Sequence, residues 1–388
     1  MTTERPAVDF YLAESLLTEA ERAVRDRVRA FAEEHLRPVA REAWERGEFP
    51  RQLVPELAKV EIAAGLVEGY GCPTMSHVAF GLAMQELARV DSSFATFFVV
   101  HGGLAPNAIA ACGSEEQKAR WLPPLARCEA IGAFALTEPE HGSDASHLET
   151  RAVRDGDGYL LDGAKRWIGN ATICDVAVVW ARAEDGVAGF LVEPSMPGFA
   201  ATAIAGKLSQ RSVPQADIRL DGCRVPAANR MPVGGFRSVA GILTESRANV
   251  AWHALGETIA CYEIARDYAL RREQFGKPIA AFQITQEKLV GMLGEITKTQ
   301  LLLIQLGRLL DQGAATPGMT ALGKLSATAT ARQVAATARE ILGGNGILHD
   351  HEIMRHLCDL EGVYTYEGTH DVNTLVVGRE ITGLAAFA

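Results

Sequence analysis

Val176-Ala177-Val178-Val179-Trp180 is an unbroken apolar run rich in β-branched side chains, and it divides the chain in two. Around it, from Ile131 to about Phe236, the sequence reads as short strands. Asp155-Gly156-Asp157-Gly158 lies between a polar and an apolar run and reads as a hairpin turn, while Pro194, Pro197 and Pro214 add further turns. No long helical pattern separates these strands. The region is therefore expected to be a small antiparallel β domain rather than a parallel βαβ sheet.

On either side the periodicity changes to that of helices. Val24, Val28 and Phe31 recur at steps of four and three with charged residues between them. Leu82, Glu86 and Arg89 belong to a further helix, which gives way to the apolar segment Phe94-Ala95-Thr96-Phe97-Phe98-Val99-Val100. His101-Gly102-Gly103 then reads either as a helix kink or as a ligand contact, and Ser114 with Gln117 forms a capping box. Beyond about Arg237, Leu289, Leu293, Ile296, Leu303, Leu306 and Leu310 place one apolar stripe along a helix that Asp311-Gln312-Gly313 ends. Pro317-Gly318 starts the next connection. Another helix covers roughly Thr320 to Leu342 and stops at Gly343-Gly344, where glycine can take the left-handed cap conformation. The expected order is an α-helical domain (1–130), a β domain (131–236) and a helical bundle (237–388).

Composition narrows the class. At 388 residues the chain suits two or three domains, and a net charge of -10 disfavours a nucleic-acid partner held by phosphate neutralisation. The seven cysteines are scattered without a C-x-x-C pair, so neither a metal site nor a disulfide framework is expected. The start of the chain lacks a basic-then-apolar leader, and no apolar run is seen to approach the ~18 residues of a spanning helix. A cytoplasmic protein without membrane insertion is expected.

Five short stretches carry chemistry. In Tyr364-Thr365-Tyr366-Glu367-Gly368-Thr369-His370-Asp371 the first carboxylate sits among tyrosines, a glycine and a threonine, so Glu367 is a candidate base with a raised pKa; an exposed Glu-Gly turn is the plainer reading. Phe134-Ala135-Leu136-Thr137-Glu138-Pro139-Glu140-His141-Gly142-Ser143-Asp144 runs from strand into loop and offers backbone donors to a flat heteroaromatic ring. Lys165-Arg166-Trp167-Ile168-Gly169-Asn170 brings an indole, which fits either a cofactor face or a core. Arg271-Arg272-Glu273-Gln274-Phe275-Gly276 sets guanidinium groups beside an aromatic ring, as pyrophosphate and adenine require, or as a surface helix end shows. Gly343-Gly344-Asn345-Gly346 permits close backbone approach but lacks G-x-G-x-x-G spacing.

Taken in order, these motifs resemble those of the acyl-CoA dehydrogenase superfamily, from about residue 14 to the C-terminus. Val90-Asp91-Ser92, Tyr364 to Thr369 and Gly378-Arg379-Glu380 bring the chain closest to the branch of glutaryl-CoA dehydrogenases and plant short-chain acyl-CoA oxidases. The resemblance implies an α+β fold: a helical N-terminal domain, an antiparallel β middle domain and a C-terminal four-helix bundle. It also implies FAD held noncovalently in a homotetramer, or at least a dimer. By motif, Phe134, Ala135, Leu136, Thr137, Ser143, Trp167, Ile168 and Gly169 line the flavin, completed by Thr369 and Asp371. Arg272, Phe275, Gln283, Gly343 and Gly344 hold the adenosine pyrophosphate of a neighbouring subunit's FAD. Ser143, Arg247 and Gly368 touch the acyl-CoA, with Phe94, Ala95, Phe97 and Phe98 toward its tail.

The implied reaction is α,β-dehydrogenation: Glu367 removes the α proton, Cβ passes hydride to flavin N5, and trans-2-enoyl-CoA results. Relatives that place their base beside the helix arginine have Ser246 at that position here, and Glu245 falls on another face of the helix. Glutaryl-CoA dehydrogenases carry an arginine where this chain has Ala95, so an uncharged short or medium acyl chain is expected. Gly169 replaces a threonine common in the family, which leaves electron-transferring flavoprotein and O2 both open as acceptor. With O2 the protein would be an acyl-CoA oxidase. A nitroalkane-oxidase-like member would use aspartate as its base, and a DNA-associated member would need a basic surface. A noncatalytic acyl-CoA-binding or scaffold protein would differ from all of these in carrying no flavin.

Overall fold

The computed structural model describes residues 8–386. Helices come first: α1 (Glu19–Phe31), α2 (Arg37–Arg46), α3 (Val54–Ala58), α4 (His77–Val90), α5 (Ser92–Phe98), α6 (Ala105–Cys112) and α7 (Glu115–Ala126). Thr18 with Glu21 opens α1 by a capping box, and Ser114 with Gln117 opens α7 by the box read from the sequence.

A π-helical turn, Val99–Leu104, carries the chain from α5 into α6 through His101-Gly102-Gly103. Consequently Ser92–Cys112 is one helical rod of 21 residues, long and apolar enough to cross a membrane. That corrects the expectation that no apolar run approaches spanning length. Two glycines after Val100 look like an interruption in the sequence, whereas one wide turn accommodates them without ending the helix. The rod is the core of the N-terminal region: Phe94, Ala95, Phe97 and Phe98 are fully buried against protein.

Seven strands follow: β1 (Gly132–Ala135), β2 (Arg151–Asp155), β3 (Gly158–Ile168), β4 (Val176–Ala183), β5 (Gly186–Val192), β6 (Phe199–Ala203) and β7 (Ala216–Pro226). β2 and β3 form the hairpin expected at Asp155-Gly156-Asp157-Gly158, with β7 and then β6 added antiparallel. β4 pairs antiparallel with β5 but parallel with β1, and meets β2 only at Arg151 and Arg182. The sheet is mixed, with most pairings antiparallel. The apolar run of β4 explains the exception: Val176 to Trp180 are buried on both faces, the condition under which parallel neighbours are tolerated, and the β2–β3 hairpin serves as the crossover.

The C-terminal region holds α8 (Phe236–Arg271), a small hairpin of β8 (Glu273–Gln274) and β9 (Lys277–Pro278), α9 (Gln283–Asp311), α10 (Pro317–Ile341), α11 (Ile353–Thr365) and α12 (His370–Thr382). Pro317 is the first residue of α10 rather than part of a connection, a position where its missing N–H costs nothing. α10 is the axis of this bundle, with α8, α9, α11 and α12 packed on it. α8 also packs against α4, so one apolar core runs through the whole chain.

Candidate active site

Tyr366, Glu367, Gly368 and Thr369 form the whole connection between α11 and α12. Glu367 (φ 56°) and Gly368 (φ 84°) are both left-handed. Glycine tolerates this freely, whereas for glutamate it costs roughly 1–2 kcal/mol. Surrounding polar groups hold the loop in place. Thr369 Oγ1 accepts from Val372 N at 3.2 Å to cap α12. Lys324 Nζ donates to Tyr364 O and Gly368 O, each at 2.8 Å, and Asn373 Nδ2 donates to Gly368 O at 2.8 Å and Thr369 O at 3.1 Å.

Glu367 Oε2 is shielded from water and has no hydrogen-bond partner among the described residues. Burial raises the carboxyl pKa; Arg247, the nearby Ser246 hydroxyl and Lys324 pull it down without cancelling the rise. Arg247 and Ser246 project from α8, and both Arg247 Nε and Ser246 Oγ are buried without a hydrogen bond of ordinary geometry. Burial lowers the arginine pKa and the Glu367 charge opposes it. Partnerless buried polar atoms are uncommon in folded proteins, and three of them meet here. Glu245 is engaged elsewhere, accepting from Asn107 Nδ2 of α6 at 3.3 Å.

Behind the loop the interior is polar, and a chain of hydrogen bonds runs through it. Tyr366 Oη lies 3.3 Å from Thr96 Oγ1 and 3.4 Å from His253 Nδ1. Thr96 Oγ1 donates to Gln210 Oε1 at 2.8 Å, and Gln210 Nε2 to Ser92 Oγ at 2.7 Å. Ser92 and Thr96 are therefore the α5 side chains linked to this loop. Phe94 packs against Phe31 and Phe49, and Phe98 against Phe80, within the helical core, where Ala95 is also fully buried.

On the β side, Phe134, Ala135 and Leu136 are buried, Thr137 is half-buried and Ser143 is exposed. The loop between them is shaped by a buried ion pair: Lys165 Nζ lies 2.8 Å from Glu138 Oε1 and donates to Leu136 O at 3.0 Å. Glu138 also accepts from the backbone N–H groups of Glu149 and Thr150. Its carboxyl sits below the ordinary range, because Lys165 and these donors outweigh the burial that raises it. Trp167 is half-exposed at φ 63°, with the Arg166 guanidinium over its ring, while Ile168 and Gly169 are buried. Asn170 Nδ2 ties this segment to Phe97 O and Gly132 O at 3.1 and 3.2 Å.

Three family models match in succession: the acyl-CoA dehydrogenase N-terminal domain over residues 18–129, the middle domain over 133–223 and the C-terminal domain over 234–382. A probable acyl-CoA dehydrogenase of Bacillus subtilis (strain 168) is 32% identical over 374 residues, 94% of this chain and 98% of that one. The chain belongs to the acyl-CoA dehydrogenase family. A crystal structure of glutaryl-CoA dehydrogenase from Mycobacterium smegmatis matches with a TM-score of 0.97 and 43% identity, covering 99% of this chain and 100% of that one. A second glutaryl-CoA dehydrogenase from the same organism, in complex with FADH2, matches at 0.96 and 39%, covering 98% and 99%. The protein is thus an enzyme of a FAD-dependent oxidoreductase family.

Two further family stretches lie elsewhere on the molecule. Arg272, Phe275 and Gln283 are exposed around the β8–β9 hairpin, with Phe275 at φ 52° and 92% exposed. Gly343 and Gly344 are exposed beside them, where Asn345 Nδ2 donates to Tyr268 Oη of α8 at 2.9 Å. At 1.5 Å per residue, Arg247 and the end of α8 at Arg271 are about 36 Å apart along the helix. The exposed cluster and the Glu367 loop therefore do not belong to one compact site of one chain. Thr369 caps α12, and Asp371 is exposed in its first turn.

Lys324, Asn373, Asn170 and the Glu138–Lys165 pair do not stand out in the sequence as site residues. One of them had a legible signal. Lys324 lies in the stripe of Ala321, Ala327 and Ala331, all fully buried, where a lysine needs a reason.

Proposed function

We propose that the protein is a cytoplasmic acyl-CoA dehydrogenase in which Glu367 takes the α proton and trans-2-enoyl-CoA is released. The observation that carries this reading is the shielded, partnerless Oε2 of Glu367 beside Arg247. A base for a weakly acidic carbon needs a raised pKa, and burial that Arg247, Ser246 and Lys324 only partly offset supplies it. The enolate oxygen needs donors. The Glu367 N–H makes no hydrogen bond among the described residues, which supports its use for the thioester oxygen together with Gly368 at the same turn. Arg247 and Ser143 would hold the CoA portion.

The partnerless polar atoms, the half-exposed Trp167 and the Phe134–Thr137 strand end, whose Leu136 and Thr137 carbonyls are already bonded within the protein and leave the backbone donors for a ligand, fit a flavin between the β domain and the Glu367 loop. Phe134 to Thr137, Ser143, Trp167 to Gly169, Thr369 and Asp371 would line it, and FAD supplies the hydride acceptor for Cβ when bound. Arg272, Phe275, Gln283, Gly343 and Gly344 would serve the FAD of a second subunit, because α8 sets them so far from Arg247. On this reading the protein would be a homotetramer or dimer, and Arg272→Gln should lose FAD on gel filtration while keeping its helical content.

A Cβ on Gly169 would lie 3.0 Å from Val100 Cγ2, so protein fills the space of the missing side chain. This supports electron-transferring flavoprotein over O2 as acceptor. Alanine at position 95, where the glutaryl-CoA dehydrogenases of the resemblance carry an arginine, leaves no cation there for a second carboxylate and supports an uncharged acyl chain, although the two crystal structures described above are named glutaryl-CoA dehydrogenases. Anaerobic titration with butyryl-, hexanoyl- and glutaryl-CoA, followed by admission of air, tests both points. Bleaching by the uncharged thioesters and slow reoxidation are expected. A preference for glutaryl-CoA sinks the first point, and rapid reoxidation the second.

A further inference from the structure

The connection that carries Glu367 is held by a lysine with no carboxylate hydrogen-bonded to it. Lys324 is fully buried in α10, and its ammonium donates to two backbone carbonyls, Tyr364 O at the end of α11 and Gly368 O in the loop. Asn373 of α12, also fully buried, binds the Gly368 carbonyl from another side and spans to the Thr369 and Glu367 carbonyls. Donors from two helices, α10 and α12, thus meet on one glycine carbonyl, and the same lysine ties in the end of α11, next to a glutamate held at φ 56°. A buried ammonium is costly to desolvate, and an apolar side chain of similar length would fill the same volume without that cost. Burial does push Lys324 down to about 8. A charge kept in such a place points to a task beyond packing.

We infer that Lys324, assisted by Asn373, is a positioning residue for Glu367, fixing the Glu367–Gly368 peptide so that the carboxylate and the free N–H keep one orientation. The inference rests on Glu367 being the base. Its physical content is twofold. The two carbonyl bonds restrict where the carboxylate can swing, and misplacement of a base by about 1 Å costs on the order of 100-fold in rate. The ammonium also adds positive charge beside the carboxylate. Charged groups facing Glu367 are Arg247 from α8 and Lys324 from α10, with the neutral Ser246 and Asn373 completing the surroundings. Removing Lys324 should therefore both loosen the base and raise its pKa.

The test uses the FAD-loaded enzyme and Lys324→Met. The expected result is a kcat lower by about 10- to 100-fold with KM nearly unchanged, and an acid limb of the kcat profile shifted to higher pH. Exchange of the C2 protons of butyryl-CoA in D2O, followed by NMR, should slow in parallel, since it reads proton removal alone. Lys324→Gln, which restores a neutral donor, should recover part of the exchange rate but not the pH limb. An unchanged profile and exchange rate overturns the inference, as does failure of both variants to fold, which would make Lys324 a stability residue. If Glu367→Gln is inactive while Lys324→Met behaves as the parent, this inference alone fails. If Glu367→Gln is active, the base assignment fails with it.

Discussion

Glu257 and Glu367 are two carboxylates withdrawn from water in different parts of the same molecule, and their pKa values are displaced in opposite directions. Glu257, in the middle of α8, accepts from Ser92 Oγ at 2.7 Å on one oxygen and lies 3.2 Å from His356 Nδ1 on the other, with His253 Nε2 at 3.3 Å. Burial raises its pKa, but the two histidines more than reverse that. Glu367 sits on a strained loop with one oxygen partnerless, and its pKa stays raised. Burial by itself does not make a base. The supply of donors decides whether a buried carboxylate is locked as an anion or left ready to take a proton.

That contrast can be broken most directly at Glu367. Glu367→Gln should lower turnover by about 1,000-fold while FAD content and acyl-CoA binding persist, measured by anaerobic flavin bleaching. Glu257→Gln should do the reverse: it strands His253 and His356 in the core, so stability drops by about 3 kcal/mol in chemical denaturation. Its acid limb of kcat should stay where the parent's lies.

Arg247→Met sharpens the comparison by removing a charged neighbour of Glu367 that is also its proposed CoA contact, so KM should rise as well. Glu367 must be ionised to act, and losing an adjacent positive charge raises its pKa further. The kcat at neutral pH should therefore fall and recover as pH rises, with the limb displaced alkaline in a kcat profile taken at saturating acyl-CoA. Ser246→Ala should move it in the same direction by less.

The smallest effect is on stability. A carboxyl whose folded pKa is raised holds its proton in the native state after the unfolded chain has lost it. The parent should therefore lose stability as pH rises from about 4.5 through the folded pKa, and stay at the lower level above it. Glu367→Gln has no such slope. Its melting temperature relative to the parent should rise across that window, and a constant difference would count against the raised pKa.

Much of the architecture was readable from local pattern. The periodicity of Val24, Val28 and Phe31, the Ser114/Gln117 box and the turn at Gly156-Asp157 are local signals, and each appears as an element in place. The mixed sheet and the continuous rod from Ser92 to Cys112 were not, because strand direction and the passage of a helix through glycines depend on distant neighbours. The site divides in the same way. Glu367, Arg247 and Trp167 stand out as chemical types at motif positions, whereas Lys324, Asn373, Asn170 and Glu138 act by placing other groups.

The sequence by itself determined the order of helical, β and helical regions and the family, and it singled out Glu367 as the candidate base, since these reside in residue identity and short-range spacing. Only the tertiary structure decided that Glu367 keeps an unsatisfied oxygen while Glu257 does not, and that the Arg272 cluster faces outward about 36 Å along α8 from Arg247. Those facts depend on which donors arrive from elements far apart in the chain. Solvation and hydrogen bonding are properties of the assembled neighbourhood, and no residue carries them alone.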